Sequence, residues 1–167
     1  MNNVSDPVGS GLVVSLAHPG GNVTGVTDFG SELAMKGVEL LHAVVPKATR
    51  IAVLMSDNPV HPFQLKLIQD TAQGFGLTVL PTIARTSEEF EAAFSSMARQ
   101  NAGALILLGG APHSTVGQRD KVVELAAKTK LPTMYPTRWS VDVGGLWATA
   151  RPPGTKLVSR LPSWPRS

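Results

Sequence analysis

The sequence predicts an α/β fold built on a doubly wound parallel sheet, on three observations. Apolar runs four to six residues long, with no polar interruption, recur at Ile51–Met55 and Ala104–Leu108. Such runs mark strands covered on both faces. Between them lie stretches with apolar residues at helical spacing, so strand and helix signals alternate along the chain. The joints carry Gly, Pro and helix-capping residues where a parallel sheet needs its turns.

The elements follow in order. Residues 1–30 contain the Gly-rich turn Pro19-Gly20-Gly21-Asn22, which leads into an expected short apolar strand, Val23–Val26. Ser31 is placed to cap a helix reaching about Val45, with Leu33, Val38, Leu41 and Val45 on one side, and Pro46 ends it. Arg50–Met55 is the first buried strand. Ser56 to His61 reads as a loop, and Pro62 suits the first turn of a helix carrying Phe63, Leu67, Ile68 and Ala72. Gly74 and Gly76 stop that helix.

Leu77–Ile83 alternates and is expected to be a strand. Thr86-Ser87-Glu88-Glu89 matches a capping box with Thr86 as N-cap, opening a helix whose buried stripe is Phe90, Phe94, Met97 and Ala98. The strand Ala104–Leu108 ends at Gly109-Gly110. Ser114 or Thr115 caps a helix through Lys128 that turns Val116, Val123 and Ala126 inward. Short strands are expected at Leu131–Tyr135 and Gly145–Ala148. Right-handed crossovers place strand 51–55 between strands 77–83 and 104–108.

Composition narrows the function. The chain has no cysteine, which excludes a disulfide scaffold, cysteine zinc sites and thiol catalysis. The formal charge of +3 invites a nucleic-acid reading, but its distribution removes it. Eleven of the fifteen Lys and Arg lie before residue 151 together with all twelve acids, a net −1 for that part. The excess comes from Arg151, Lys156, Arg160 and Arg166 in the last seventeen residues, and aromatic residues are only 5%. A base-stacking basic face is therefore not expected, and no nucleic-acid partner is. No segment reaches the roughly 20 apolar residues of a membrane span.

The histidines at 18, 42, 61 and 113 show no HxH or HExxH spacing, so no metal site is expected. Neither GxGxxG nor GxxxxGK[ST] occurs, so no phosphate-cradling cofactor loop is expected. GxSxG is missing too, and Ser114 beside His113 makes no triad by adjacency. No catalytic residue is assigned and no enzyme activity is expected.

In an open parallel sheet, ligands bind beyond the carboxyl ends of the strands. Three loops fall there: Ser56-Asp57-Asn58-Pro59, Gly109-Gly110-Ala111-Pro112-His113-Ser114, and Pro136-Thr137-Arg138-Trp139. They offer a carboxylate and an amide, free backbone N–H groups before a helix, and a guanidinium. A zwitterionic amino acid needs an anion-binding helix end or an Arg, plus an acceptor for its amine. The candidate ligand-binding residues are Asp57, Asn58, Gly110, Ala111, Pro136, Thr137 and Arg138. The same residue types also build any βα turn. Trp139 and Trp147 are either walls for an apolar ligand or packing residues.

Four segments carry a family resemblance: SLAHPGGNVTGV, ELAMKGVELLHAVVPKATRIAVL, FEAAFSSMARQNAGALILLGG and KVVELAAKTKLPTMYPTRWSVDVGGL. Together they resemble the ABC-transporter substrate-binding proteins usually described as tryptophan/tyrosine-type uptake receptors, over roughly residues 5–149. That resemblance implies a type I periplasmic-binding fold, in which two flavodoxin-like lobes close over a small-molecule solute and the closed form docks on an ABC permease. It places 1–30 at the inter-lobe crossing or hinge and 31–149 in a single lobe. Residues 151–167, with four prolines and no acid, depart from it and read as a disordered or frameshifted tail.

The resemblance implies a periplasmic location for full-length members. MNNVSDPVGS lacks the basic and apolar regions of a signal peptide, so the chain as written would remain in the cytoplasm. The competing reading is a flavodoxin-like cytoplasmic regulatory or enzymatic domain, for which clustered acids or a nucleophile at the strand ends would be the mark.

Overall fold

The computed structural model describes residues 8, 13–15, 17, 18, 20, 30–109, 116–136, 139–142, 145, 147 and 148. In chain order these form α1 (Gly30–Val44), β1 (Arg50–Met55), α2 (His61–Gly74), β2 (Thr78–Ile83) and α3 (Glu89–Arg99). Then come β3 (Ala104–Leu107), α4 (Val116–Lys128), β4 (Thr133–Tyr135), the short α5 (Trp139–Asp142) and β5 (Trp147–Ala148). The strands make one sheet in the order β2-β1-β3-β4-β5, and every neighbouring pair is parallel. The expected place of β1 between β2 and β3 is therefore observed. Helix α5 is an element the sequence analysis did not expect.

The two-residue period of a strand divides the core into two layers. Ile51, Val53 and Met55 of β1 pack with Val38 and Leu41 of α1 and with Ile68 and Ala72 of α2. Ala52 and Leu54 face the other way, onto Phe90, Phe94 and Met97 of α3 and onto Val122, Val123 and Ala126 of α4. Both faces of β1 and β3 are thus covered, which is why their sequences are unbroken apolar runs. Strand β2 lies at the edge and is only partly covered: Val79 and Leu80 are half-buried and Thr82 is its one buried residue. Pro81 sits there, a residue tolerated where one side of the ladder is free.

The helices differ from expectation in their details. In α2 the buried stripe is His61, Gln64, Ile68 and Ala72, while Phe63 is 46% exposed. His61 is the first residue of the helix rather than part of the loop. In α3, Ala93 is buried in place of Ala98.

The capping box is displaced. Glu89 opens α3, and its carboxylate accepts from the Arg85 N–H at 2.6 Å instead of reaching the N–H of Thr86. Thr86 meets the helix only through its carbonyl, which accepts from the Glu89 N–H at 3.3 Å; its side chain engages Glu88 instead, and that bond is the main cause holding the Glu88 carboxyl below its usual range. The expected strand Val23–Val26, the expected caps at Ser114 and Thr115, and the side chains of Ser31, Val116, Trp139 and Trp147, lie outside what the structure describes, as do 1–7 and 149–167.

Three helices end on a residue of positive φ: Gly76 at 68°, Asn101 at 54° and Lys130 at 53°. The N–H groups that follow them return to the helix, Leu77 to Ala72, Ala102 to Met97 and Leu131 to Ala126, each at 3.0 Å. Orphan carbonyls of the last turn are satisfied this way, and the chain reverses into the next strand. On the surface, Lys121 of α4 pairs with Glu91 of α3 at 2.8 Å. That bond lowers the Glu91 pKa and raises that of Lys121.

Candidate functional site

The chain reverses its winding between β1 and β3. Helix α2 leaves β1 toward one face of the sheet, whereas α4 leaves β3 toward the other. Loops that diverge in this way open a crevice at the carboxyl edge, the place where parallel sheets receive ligands.

The loop after β1 is held by its own polar groups. The Asn58 side-chain oxygen accepts from the Val60 N–H at 3.0 Å, and the Asn58 carbonyl accepts from the His61 N–H at 2.9 Å. The Asn58 N–H meets the Ser56 hydroxyl at 3.3 Å. This is an Asx turn ahead of a helix with Pro62 in its first turn. It commits the Asn58 side-chain oxygen to the backbone. Asp57, at the crest, is exposed.

His61 joins this loop to the next one. Its ring is fully buried. Nδ1 lies 3.0 Å from the backbone N of Ser56, and Nε2 lies 2.8 Å from the carbonyl oxygen of Gly109, just past β3. The Gly109 carbonyl only accepts, so Nε2 carries the proton; Nδ1 has the Ser56 N–H donor as its nearest partner, with the Ser56 hydroxyl and carbonyl oxygens further off at 3.3 Å, which makes it the acceptor of the Nε2–H tautomer. Burial makes both bonds matter, because an unpaired ring nitrogen there costs about 1–3 kcal/mol.

The third loop closes on the same point. A β-carbon built on Gly109 would lie 3.3 Å from Cβ of Pro136, the residue that follows β4. Gly109 thus gives its carbonyl to the first loop and its bare Cα to the third. Beneath Pro136, Tyr135 is 2% exposed. Burial pushes its phenol up to about 12, against a smaller opposing effect from Thr133, so it stays protonated across the ordinary pH range.

The described parts of the three expected loops, Ser56–Pro59, Gly109 and Pro136, therefore lie at one edge of the sheet. Asp57, Asn58 and Pro136 sit at the carboxyl edge as expected. Gly110, Ala111, Thr137 and Arg138 fall outside the described residues. His61 was missed as a site component. Its signal was present, since Pro62 puts position 61 at the helix start and positions 61, 64, 68 and 72 share one helical stripe. Among the described residues no group of three or more His, Asp or Glu is placed to hold a metal ion, and no helix is long and apolar enough to cross a membrane.

Comparison with known proteins gives a consistent result. Residues 1–152 match the family model described as ABC transporter substrate binding protein. A protein of Clostridioides difficile (strain R20291) named "Tyrosine-binding protein" is 32% identical over 147 residues, covering 87% of this chain and 41% of the relative. Among solved structures, a domain from Streptococcus pneumoniae in complex with L-Trp aligns with TM-score 0.72 and 29% identity, over 86% of this chain and 48% of that one. The ligand-free, open structure of a substrate binding protein with adhesive properties from Clostridium difficile aligns with TM-score 0.65 and 30% identity, over 87% and 48%. The chain thus spans about half the length of these relatives. The fold at the crevice and the match over most of the sequence agree: the chain belongs to the ABC transporter substrate binding protein family.

Proposed function

We propose that this chain forms one wall of the solute-binding component of an ABC uptake transporter, acting outside the cytoplasmic membrane and delivering its solute to a permease. The solute is an amino acid or another amino-acid-like small molecule. Asp57 accepts from its amine, the Asn58 NH2 and the N–H groups of Gly110 and Ala111 meet its carboxylate with Arg138, and Pro136 and Thr137 border its side chain. One observation carries this reading: the loops after β1, β3 and β4 converge on Gly109 at the winding reversal. The relatives bound to L-Trp or named for tyrosine support the solute class.

A cleft receptor buries some 70–90% of a drug-sized ligand between its walls. A chain spanning about half of the relatives' length supplies one wall, and losing about 4 kcal/mol of contact weakens a micromolar complex to the millimolar range. Amide NMR titration of the 167-residue chain with L-tyrosine and L-tryptophan tests this. Millimolar-range shifts confined to the neighbourhoods of residues 57–58, 109–111 and 136–138 are expected. Shifts concentrated at the opposite edge of the sheet, or none at all, would sink the assignment. Calorimetric binding at micromolar concentration would overturn the one-wall account.

A further inference from the structure

We infer that His61 is a positioning residue that fixes the gap between the loops after β1 and β3, and so presets the solute-binding edge before any solute arrives; this rests on the function proposed above. The two loops leave adjacent strands for opposite faces of the sheet. Sheet pairing joins β1 and β3 from Ile51 opposite Ala104 as far as Leu54 opposite Leu107, and the Leu108 N–H donates to the Leu54 carbonyl. Just past the last paired residues, the ring of His61 makes a side-chain crossing between the two strand ends. One nitrogen accepts from the Ser56 N–H and the other donates to the Gly109 carbonyl, 48 residues away in sequence.

A rigid five-membered ring suits the task. Its two nitrogens point in fixed directions, so the Ser56 amide and the Gly109 carbonyl are set relative to each other with no torsion between them. The ring itself is anchored, since His61 begins α2 and is wholly enclosed. Asp57 and Asn58 immediately follow Ser56, and Gly110 immediately follows Gly109. The spacing of the groups proposed to grip the two ends of the solute is thus handed across by one side chain.

The neutral tautomer is part of the inference. Were the ring proton on Nδ1, Nε2 would face the Gly109 oxygen lone pairs and that 2.8 Å contact would become repulsive, while Nδ1–H would lose the bond from the Ser56 N–H and be left with the longer Ser56 hydroxyl and carbonyl contacts at 3.3 Å. A ring present only to fill space would show no such fixed preference.

Three substitutions separate the two halves of the bridge. His61→Asn keeps an acceptor near Nδ1 and loses the reach to Gly109. His61→Gln keeps a donor near Nε2 and loses the acceptor for Ser56. His61→Phe keeps the volume and loses both.

The measurements use the whole 167-residue chain. A long-range proton–nitrogen spectrum of the solute-free protein is expected to show His61 as the Nε2–H tautomer with a slowly exchanging ring proton. Amide shifts in His61→Asn are expected chiefly around Gly109, those in His61→Gln chiefly around Ser56 to Asn58, and those in His61→Phe in both places. The response of the loop amides to a fixed concentration of L-tryptophan or L-tyrosine is expected to fall at least threefold in His61→Phe and less in the two single-contact variants.

An averaged or Nδ1–H imidazole in the wild-type chain overturns the inference. So does a His61→Asn variant whose Gly109 region is unmoved, or a folded His61→Phe variant that responds to solute as the wild type does. If neither solute perturbs the wild-type chain, the proposed solute class fails, whereas the tautomer and the loop-specific shifts still decide the role of His61. The wild-type spectrum and the two polar variants do so even if His61→Phe does not fold.

Discussion

Pro136 stands against the bare Cα of Gly109, so that a β-carbon added at 109 would come within 3.3 Å of the proline Cβ and 3.6 Å of its Cγ. The loops after β3 and β4 are therefore packed in van der Waals contact at the point where the β1 loop also arrives through His61.

The consequence of this contact is graded by side-chain size. Gly109→Ala asks the Pro136 ring to give by a few tenths of an ångström, and a cost under about 1 kcal/mol is expected. Gly109→Val places a second branch in the same space, and a loss of about 1–3 kcal/mol is expected from overpacking. Urea denaturation of both variants checks the order. Equal stability of Gly109→Val and wild type would show that the Pro136 loop moves freely.

A similar close approach lies at the opposite, amino end of the sheet. A β-carbon on Gly103 would stand 2.8 Å from Cβ and 3.1 Å from Cα of Ala48, while the Gly103 N–H is bonded to the Arg50 carbonyl at 2.9 Å. Gly103→Ala is expected to cost about 1–3 kcal/mol. Ala48→Gly in the same chain removes the nearest opposing atom, so the double variant should recover part of that loss. A double-mutant cycle reads the coupling; strictly additive effects would contradict the contact.

Phe90 and Phe63 make a paired test of burial. Phe90 is fully enclosed between sheet and helices. Phe63, on the outer side of the first turn of α2, is nearly half exposed. Phe90→Ala is expected to lose about 3–5 kcal/mol, and Phe63→Ala only about 0.5 kcal/mol or less. Comparable losses at the two positions, measured by thermal or urea unfolding, would mean that Phe63 is covered.

Tyr135 is the single tyrosine of the chain, so its ionisation can be followed alone. Burial raises its folded-state value from about 10 to about 12. A group raised in the folded state contributes stability that is complete below its unfolded value and disappears as pH climbs through its folded value. Stability should therefore fall between about pH 10 and pH 12 from this group. Ultraviolet titration of the phenol is expected to show a midpoint near 12 in the native protein and near 10 in denaturant. A native midpoint near 10 would place the ring in water.

Much of the architecture was legible in the chain. The runs at Ile51–Met55 and Ala104–Leu108 announced strands buried on both faces, because only a strand covered twice can dispense with polar residues on alternate positions. The positions of the turns, the ordering of β1 between β2 and β3, and the three loops at the carboxyl edge followed from alternation and handedness. Errors came where a local pattern admitted two solutions. Phe63 and His61 both fit a helix start, and hydrophobicity favoured the wrong one for burial. The capping box at Thr86 was a plausible local solution, but the backbone between Arg85 and Glu89 carries the Glu89 carboxylate one residue further back.

What the sequence alone determined, then, is the α/β class and the chain positions of β1 to β4 and of helices α1 to α3, which depend on periodicity and turn chemistry along neighbouring residues. What only the tertiary structure decided is how the candidate loops meet. The bond from His61 to Gly109 spans 48 residues, and the contact of Gly109 with Pro136 depends on β3 and β4 lying side by side. Neither leaves a periodic trace, because each is a relation between positions brought together only after the sheet has formed. A buried histidine reads locally as any polar residue near a turn; it becomes a bridge when folding encloses it between a donor on one strand end and an acceptor on the other.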